Sequence, residues 1–159
     1  MPREPRVIME GVCYHVITHG HEGREIFKNK TDYEKYLYLL KRYKKKFKFK
    51  LYGWCLMKTH PHLIMESSLL SKIMHAVNMC YAQYYRKKYG SKGYVWEDRF
   101  KSYIIQKDEY LINCITYIEY NPVKAGVVLK PEDYKWSSYS ARVLGKKDFL
   151  FLLDNIQGM

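Results

Sequence analysis

Alternating residue periodicities in the order β-α-β-β-α-β-α predict an α+β domain, a ferredoxin-like or RRM-like βαββαβ antiparallel sheet with additional C-terminal helices. Three observations carry the prediction. Short runs rich in β-branched and aromatic residues alternate with longer runs whose apolar residues return every three or four positions. Two of the short runs follow each other across a short turn, as the strands of a hairpin do. Apolar residues make up 47% of the 159-residue chain, which suits a single packed domain over 1–159 and argues against disorder.

The elements follow in order. "VCYHVIT" (12–18) reads as the first strand and "HGHEGRE" as a loop. Thr31-Asp32 can cap a helix along which Tyr33, Tyr36, Leu37, Leu40, Tyr43 and Phe47 recur at helical spacing. "FKLYGWCLM" (49–57) is the second strand, and "HPHLIME" pairs back on it as the third. From Leu69 to Tyr89 an amphipathic helix runs through Ile73, Val77, Cys80 and Tyr84, and Gly90 stops it. "RFKSYIIQ" (99–106) is the fourth strand. Asp108 caps a helix over "EYLINCITYIEYN", which Pro122 ends. A shorter helical tail is expected near "DFLFLLDNI". Two helices cover one face of such a sheet; the other is free for a ligand or for an added helix.

The chain carries 28 Lys and Arg against 16 Asp and Glu, a net +12. That excess points to a polyanionic partner. It concentrates in "KRYKKKFKFK" (41–50), with Lys44 and Lys45, and in "RKKYGSKG" (86–93), with Arg86 and Lys87. Aromatic rings interleave with the lysines, a mixture that suits single-stranded nucleic acid because every base has a face to stack on. The plain alternative is a solvated basic face on two ordinary helices. No apolar run approaches a membrane span, and "MPREPRVIMEG" has no apolar signal core. Cys13, Cys55, Cys80 and Cys114 form no CxxC pair and sit in apolar settings, so buried free thiols in a reducing compartment are expected.

The chemistry centres on "LMKTHPHLIME" (56–66). Residues i and i+2 of a strand point to one side, so His60 and His62 leave the sheet together. Pro61 between them belongs at a strand start, just past the turn, and holds His60 extended. Two neutral imidazoles on one face are half of a divalent-metal site. "HGH" (His19, His21) is a rival pair, weakened by the loop-forming glycine. In "CITYIEYNPVKAG", Tyr117 and Asn121 share a helical face at i and i+4. Asn121 supplies an oxygen ligand and Tyr117 a phenol able to attack phosphorus; spacing alone does not separate Tyr117 from Tyr110 or Tyr120. A His-His-amide set with open positions suits Mg²⁺ or Mn²⁺ acting on a phosphate.

These motifs, taken in order, resemble the single-tyrosine HUH transposases, and within them the REP-associated tyrosine transposase branch. "GVCYHVITHG", "EIF" with "DYEKYLYLL", "GWCLMKTHPHLIM", "WEDRFKSYII", "YLINCITYIEYNPVKAGVV" and "PEDYKWSSY" follow the family's succession over nearly the whole chain. The resemblance implies His60 and His62 as metal-binding histidines, Asn121 as the third protein ligand, Tyr117 as nucleophile, and Arg99 with Lys101 as residues approaching DNA. The chain departs from the pattern at Pro61, where the family has an aliphatic residue, at "HGH" where it often has "RGN", and at Glu119 where it often has histidine. Glu119, two residues from Tyr117, points to another side of the helix.

The implied reaction is transesterification: tyrosine takes a DNA 5′-phosphate, leaving a free 3′-hydroxyl that later rejoins DNA without ATP. Single-stranded or hairpin DNA is the implied substrate and Mg²⁺ or Mn²⁺ the cofactor. A homodimer and a monomer are both compatible with the resemblance, and the implied location is the prokaryotic cytoplasm, at the nucleoid. A non-catalytic nucleic-acid-binding module and a metal-dependent nuclease without a durable tyrosine link are the competing readings.

Overall fold

The computed structural model describes residues 7–106, 109–148, 150 and 152–156. Its sheet has four strands, β1 (Cys13–Ile17), β2 (Lys50–Met57), β3 (His60–Glu66) and β4 (Lys101–Ile105), in the order β2-β3-β1-β4 with every neighbouring pair antiparallel. That order and the connections through α1 (Lys30–Phe47) and α2 (Leu70–Tyr89) are those of the expected βαββαβ sheet.

Side-chain alternation divides the core between the two faces. Tyr14, Val16, Leu51, Trp54, Leu56, Leu63 and Met65 meet Tyr36, Leu37 and Leu40 of α1 and Ile73, Val77 and Tyr81 of α2. Cys13, Cys55, Ile64 and Ile105 turn the other way and meet Leu111, Ile115 and Ile118 of α3 (Glu109–Glu119). The face left open in the sequence reading is therefore largely filled by α3. A bulge between Leu51 and Gly53 resets the alternation of β2, so that Leu51 and Trp54 face one side and Tyr52 the other. Gly53 lets α3 approach closely: a Cβ there would lie 2.8 Å from Ile115 Cγ2.

Several local expectations are corrected. Thr31 and Asp32 do not flank the start of α1; Asn29 is its N-cap position, and Asp32 in the first turn accepts from the Lys28 backbone N–H at 2.9 Å. β4 begins at Lys101, so Arg99 lies before the strand. Pro122 does not end the helix after β4. That helix breaks at Tyr120, and Asn121 and Pro122 open a separate turn, α4 (Asn121–Lys124), where a missing N–H costs nothing. The tail helix lies earlier than expected, at α5 (Tyr139–Leu144), whereas 152–156 have no helical structure. The expected cap at Asp108 falls outside the described residues.

Pro61 is accommodated by register. Leu56 donates its N–H to Trp136 O and accepts from Tyr134 Oη, so both its backbone groups face away from β3. Its partner Pro61 is thus in a non-hydrogen-bonded pair and loses no bond to β2. On the other side, the β1 ladder ends at Ile17↔His62, one residue short of the proline. The outer edge of β2 is closed by the C-terminal region: Ser138 N–H donates to Trp54 O, and Asp154 N–H donates to Leu51 O. None of the four cysteines is in a disulfide; Cys13 and Cys55 are buried, Cys80 and Cys114 half-buried. No helix among the described residues is long and apolar enough to cross a membrane.

Candidate functional site

The ends of β1, β3 and β4 meet at one corner of the sheet. Ile17 pairs with His62 on one side and with Lys101 on the other, so the three side chains share the face that α3 covers. His60 and His62 lie together as the strand period requires, with ring centroids 4.8 Å apart. Two further imidazoles join them. His15 Nε2 is 2.9 Å from His62 Nδ1, and the His19 ring stacks on His60 at 5.0 Å. The loop that carries His19 is tied down by Gly20 N–H donating to Thr59 O and by a bridge between Gly20 and Trp96. The rival pair His19 and His21 is split: His21 turns away, its Nδ1 3.1 Å from Glu97 Oε2.

Burial pushes every imidazole of the cluster toward its neutral form. Burial lowers His15 to about 4. Burial, with His19 close by, lowers His60 to about 4. Burial, reinforced by the three neighbouring imidazoles, lowers His62 to about 2. Burial and Lys101 lower His19, against an opposing pull from Glu97. Neutral imidazoles keep a lone pair, the form in which histidine binds a metal ion.

The junction of α3 and α4 completes the corner. Asn121 Nδ2 lies 3.2 Å from His62 Nε2. Tyr117, one turn earlier, is 53% exposed, and the Lys124 ammonium sits 3.8 Å from its ring centroid. The other two tyrosines point elsewhere. Tyr120 packs edge-on against Tyr139. Tyr110 lines a groove with Ile104 and Ile105, at the far end of β4, about four residues or 13 Å along the strand from Lys101. Glu119 is fully buried on the opposite side of α3, paired with Arg142 and accepting from Ser138 Oγ at 2.6 Å. It is a structural ion pair that faces neither Tyr117 nor solvent.

The donor set fits a small divalent cation in chemistry. His60 Nδ1 is engaged by Thr59 Oγ1 at 2.8 Å and His62 Nδ1 by His15, so the Nε2 atoms are the donors open to a cation, that of His60 directly and that of His62 in place of its 3.2 Å contact with Asn121 Nδ2. Among the described residues, no group of three His, Cys, Asp or Glu side chains is arranged to hold a metal ion; the set His60, His62 and Asn121 brings an amide beside two imidazoles.

The basic candidates divide by face. Arg99 and Arg86 line one groove of about 760 Å³ with Tyr94, Trp96, His75 and Asn78, between α2 and the segment leading into β4. Lys101 stands at the histidine corner. Lys45 and Lys87 are exposed on α1 and α2, the helices that cover the opposite face of the sheet. Lys44 is occupied, donating to Leu152 O at 2.8 Å and paired with Asp154. Sequence reasoning missed His15, and it set His19 in a rival pair with His21 rather than beside His60. The parity of "YHVITH" on a strand would have put His15 with Ile17 on the correct face, but only the pairing of β1 with β3 brings it to His62.

Comparison with known proteins agrees with this architecture. A REP-associated tyrosine transposase bound to a REP hairpin has the same fold, with a TM-score of 0.75 at 18% identity, covering 100% of this chain and 95% of that one. A chain from Deinococcus radiodurans described as a transposase aligns at a TM-score of 0.51 and 12% identity, covering 74% and 96%. A Haemophilus influenzae protein named as a REP-associated tyrosine transposase is 43% identical over 54 residues, 34% of this chain and 30% of that protein. The match therefore spans less than a third of the curated relative's length. Residues 9–121, from before β1 through the histidine pair to Asn121, match the IS200-like transposases, and the chain belongs to that family.

Proposed function

We propose that this chain is a DNA strand transferase in which the Tyr117 phenol oxygen attacks a phosphodiester of single-stranded or hairpin DNA. The P–O3′ bond breaks, the phosphate becomes esterified to Tyr117 at the 5′ side, and a 3′-hydroxyl is released. The observation that carries this reading is the Asn121–His62 contact. It joins α4, which directly follows the helix bearing the exposed phenol, to the histidine pair, so nucleophile and phosphate-binding groups have one corner of the sheet in common.

Each residue then has a task. His60, His62 and Asn121 are the residues that would hold Mg²⁺ or Mn²⁺, which when bound supplies charge neutralisation at a non-bridging phosphate oxygen. Lys124 lies against the Tyr117 ring, where its ammonium holds the ring in place and adds a positive charge beside the attacked phosphate. Lys101 and Arg99 lead from the corner towards the groove lined by Arg86, where Tyr94 and Trp96 offer faces for unpaired bases. Lys44 is withdrawn from this path by Asp154, and Lys45 and Lys87 lie off it. That a related structure holds a hairpin favours the same class of DNA for this chain.

The test is a denaturation-resistant adduct. The protein, a labelled hairpin oligonucleotide with a single-stranded flank and Mn²⁺ should give a covalent protein–DNA band. Tyr117→Phe should abolish the band while hairpin affinity is retained. An undiminished adduct in Tyr117→Phe moves the nucleophile elsewhere. Cleavage with no adduct favours a hydrolytic nuclease, and binding alone a non-catalytic module.

A further inference from the structure

The four imidazoles at the corner are not equivalent. His62 is held on both ring nitrogens, by Asn121 Nδ2 at 3.2 Å from Nε2 and by His15 Nε2 at 2.9 Å from Nδ1. An amide nitrogen only donates. Its contact requires a lone pair on His62 Nε2, which leaves the ring's one proton on Nδ1. That proton points at His15 Nε2, which must accept it. His15 in turn carries its own proton on Nδ1.

The position of His15 suits this task and no more direct one. It pairs with Ile64 on β3 and with Tyr103 on β4, one pleat further into the sheet than the Ile17–His62 pair. Its ring lies 5.2 Å from that of His62 and only 25° from parallel with it, while Tyr103 flanks its other side at 6.1 Å. His15 is thus wedged behind His62, in contact with the nitrogen that faces away from Asn121. Thr59 stands in the same relation to His60.

We propose that His15 is a positioning residue: it fixes His62 as the Nδ1–H tautomer and so turns the Nε2 lone pair toward the place where Asn121 and a divalent cation meet. The cation half of this inference rests on the function proposed above; the tautomer half does not. Partners of this kind behind metal-bound histidines typically change metal affinity by about 10- to 100-fold when removed.

The first measurement uses the metal-free, full-length wild-type chain. Long-range ¹H–¹⁵N correlation spectra at neutral pH, with the His62 signals assigned through His62→Gln, should show Nδ1 protonated and Nε2 unprotonated. The second is a Mn²⁺ titration followed by electron paramagnetic resonance. His15→Phe, which keeps a ring but no acceptor, should weaken Mn²⁺ binding about 10-fold, and His15→Gln, which keeps an acceptor oxygen, should recover most of the loss. Wild-type His62 protonated on Nε2, or Mn²⁺ affinity in His15→Phe within about twofold of wild type, overturns the proposal. A wild type that shows the Nδ1–H tautomer but takes up no Mn²⁺ supports the orienting contact and refutes the cation reading beneath it.

Discussion

At the scale of single residues, the histidine pair was legible as the two-residue period of a strand, whereas the expected shared helical face of Tyr117 and Asn121 is interrupted at Tyr120, Tyr117 lying in the last turn of α3 and Asn121 opening α4. The sequence could not separate Tyr117 from Tyr110 and Tyr120. The separation comes from what each ring touches: Tyr120 has Tyr139, Tyr110 has the far end of β4, and Tyr117 has solvent and Lys124. Lys124 yields a prediction. A cation over an exposed ring is worth about 0.5–1 kcal/mol. Lys124→Gln should slow adduct formation about twofold to fivefold with hairpin affinity unchanged, read from single-turnover rates at saturating protein. Equal rates would detach Lys124 from the chemistry. Glu119 gives the converse lesson. In sequence it stands two residues from Tyr117, whereas in space its carboxylate is spent on Arg142 and Ser138, because residues two apart on a helix lie about 200° around its axis.

At the scale of elements, all four strands and the three long helices could be read from pattern, while the ends of several could not. Pro122 has the signature of a terminator because a proline is excluded from mid-helix; here it falls in the first turn of a new one, where the rule reverses. The packing of α3 on the sheet is set by Gly53. Gly53→Ala should cost about 1–3 kcal/mol by overpacking against Ile115 and should lower adduct formation more than hairpin binding, since Tyr117 rides on the displaced helix and Asn121 on the turn that follows it. Chemical denaturation and the adduct assay together check this. The α1–α2 pair is latched by Asp32, which is fully buried and accepts from Lys88 Nζ, Tyr84 Oη, Tyr89 Oη and the Lys28 N–H. Burial alone would raise this carboxyl, but the four donors together hold it below the usual carboxylate range. A depressed acid stabilises the fold above its unfolded value near 4 and loses that contribution as pH falls through the lower folded value. Thermal stability should therefore drop steeply below about pH 4 in the wild type and less steeply in Asp32→Asn, which at pH 7 should already be about 3 kcal/mol less stable. Parallel acid-unfolding curves for the two proteins would contradict the latch.

At the scale of the whole molecule, the net charge of +12 announced a polyanion but not where it would lie. The densest lysine run belongs to α1, on the face opposite the histidines, and part of it is neutralised internally by Asp154. Charge density along a sequence and charge density at a site are different quantities, because folding distributes a helix's residues around its axis. Accordingly Lys45→Gln with Lys87→Gln should leave hairpin affinity within about threefold, whereas Arg99→Gln with Lys101→Gln should weaken it at least about tenfold and flatten the slope of log affinity against log salt by about 1.4, that is 0.7 per phosphate contact. The reverse ranking would put the DNA on the α1–α2 face. Finally, the seal that 136–138 and Asp154 form along β2 has a consequence for assembly. The sheet has one hemmed margin, and among the described residues β4 is its one unpaired selvage. A copy that docks its own β4 there consumes the last free row of backbone donors on both sides, so association by strand addition halts at a pair and cannot propagate into a filament.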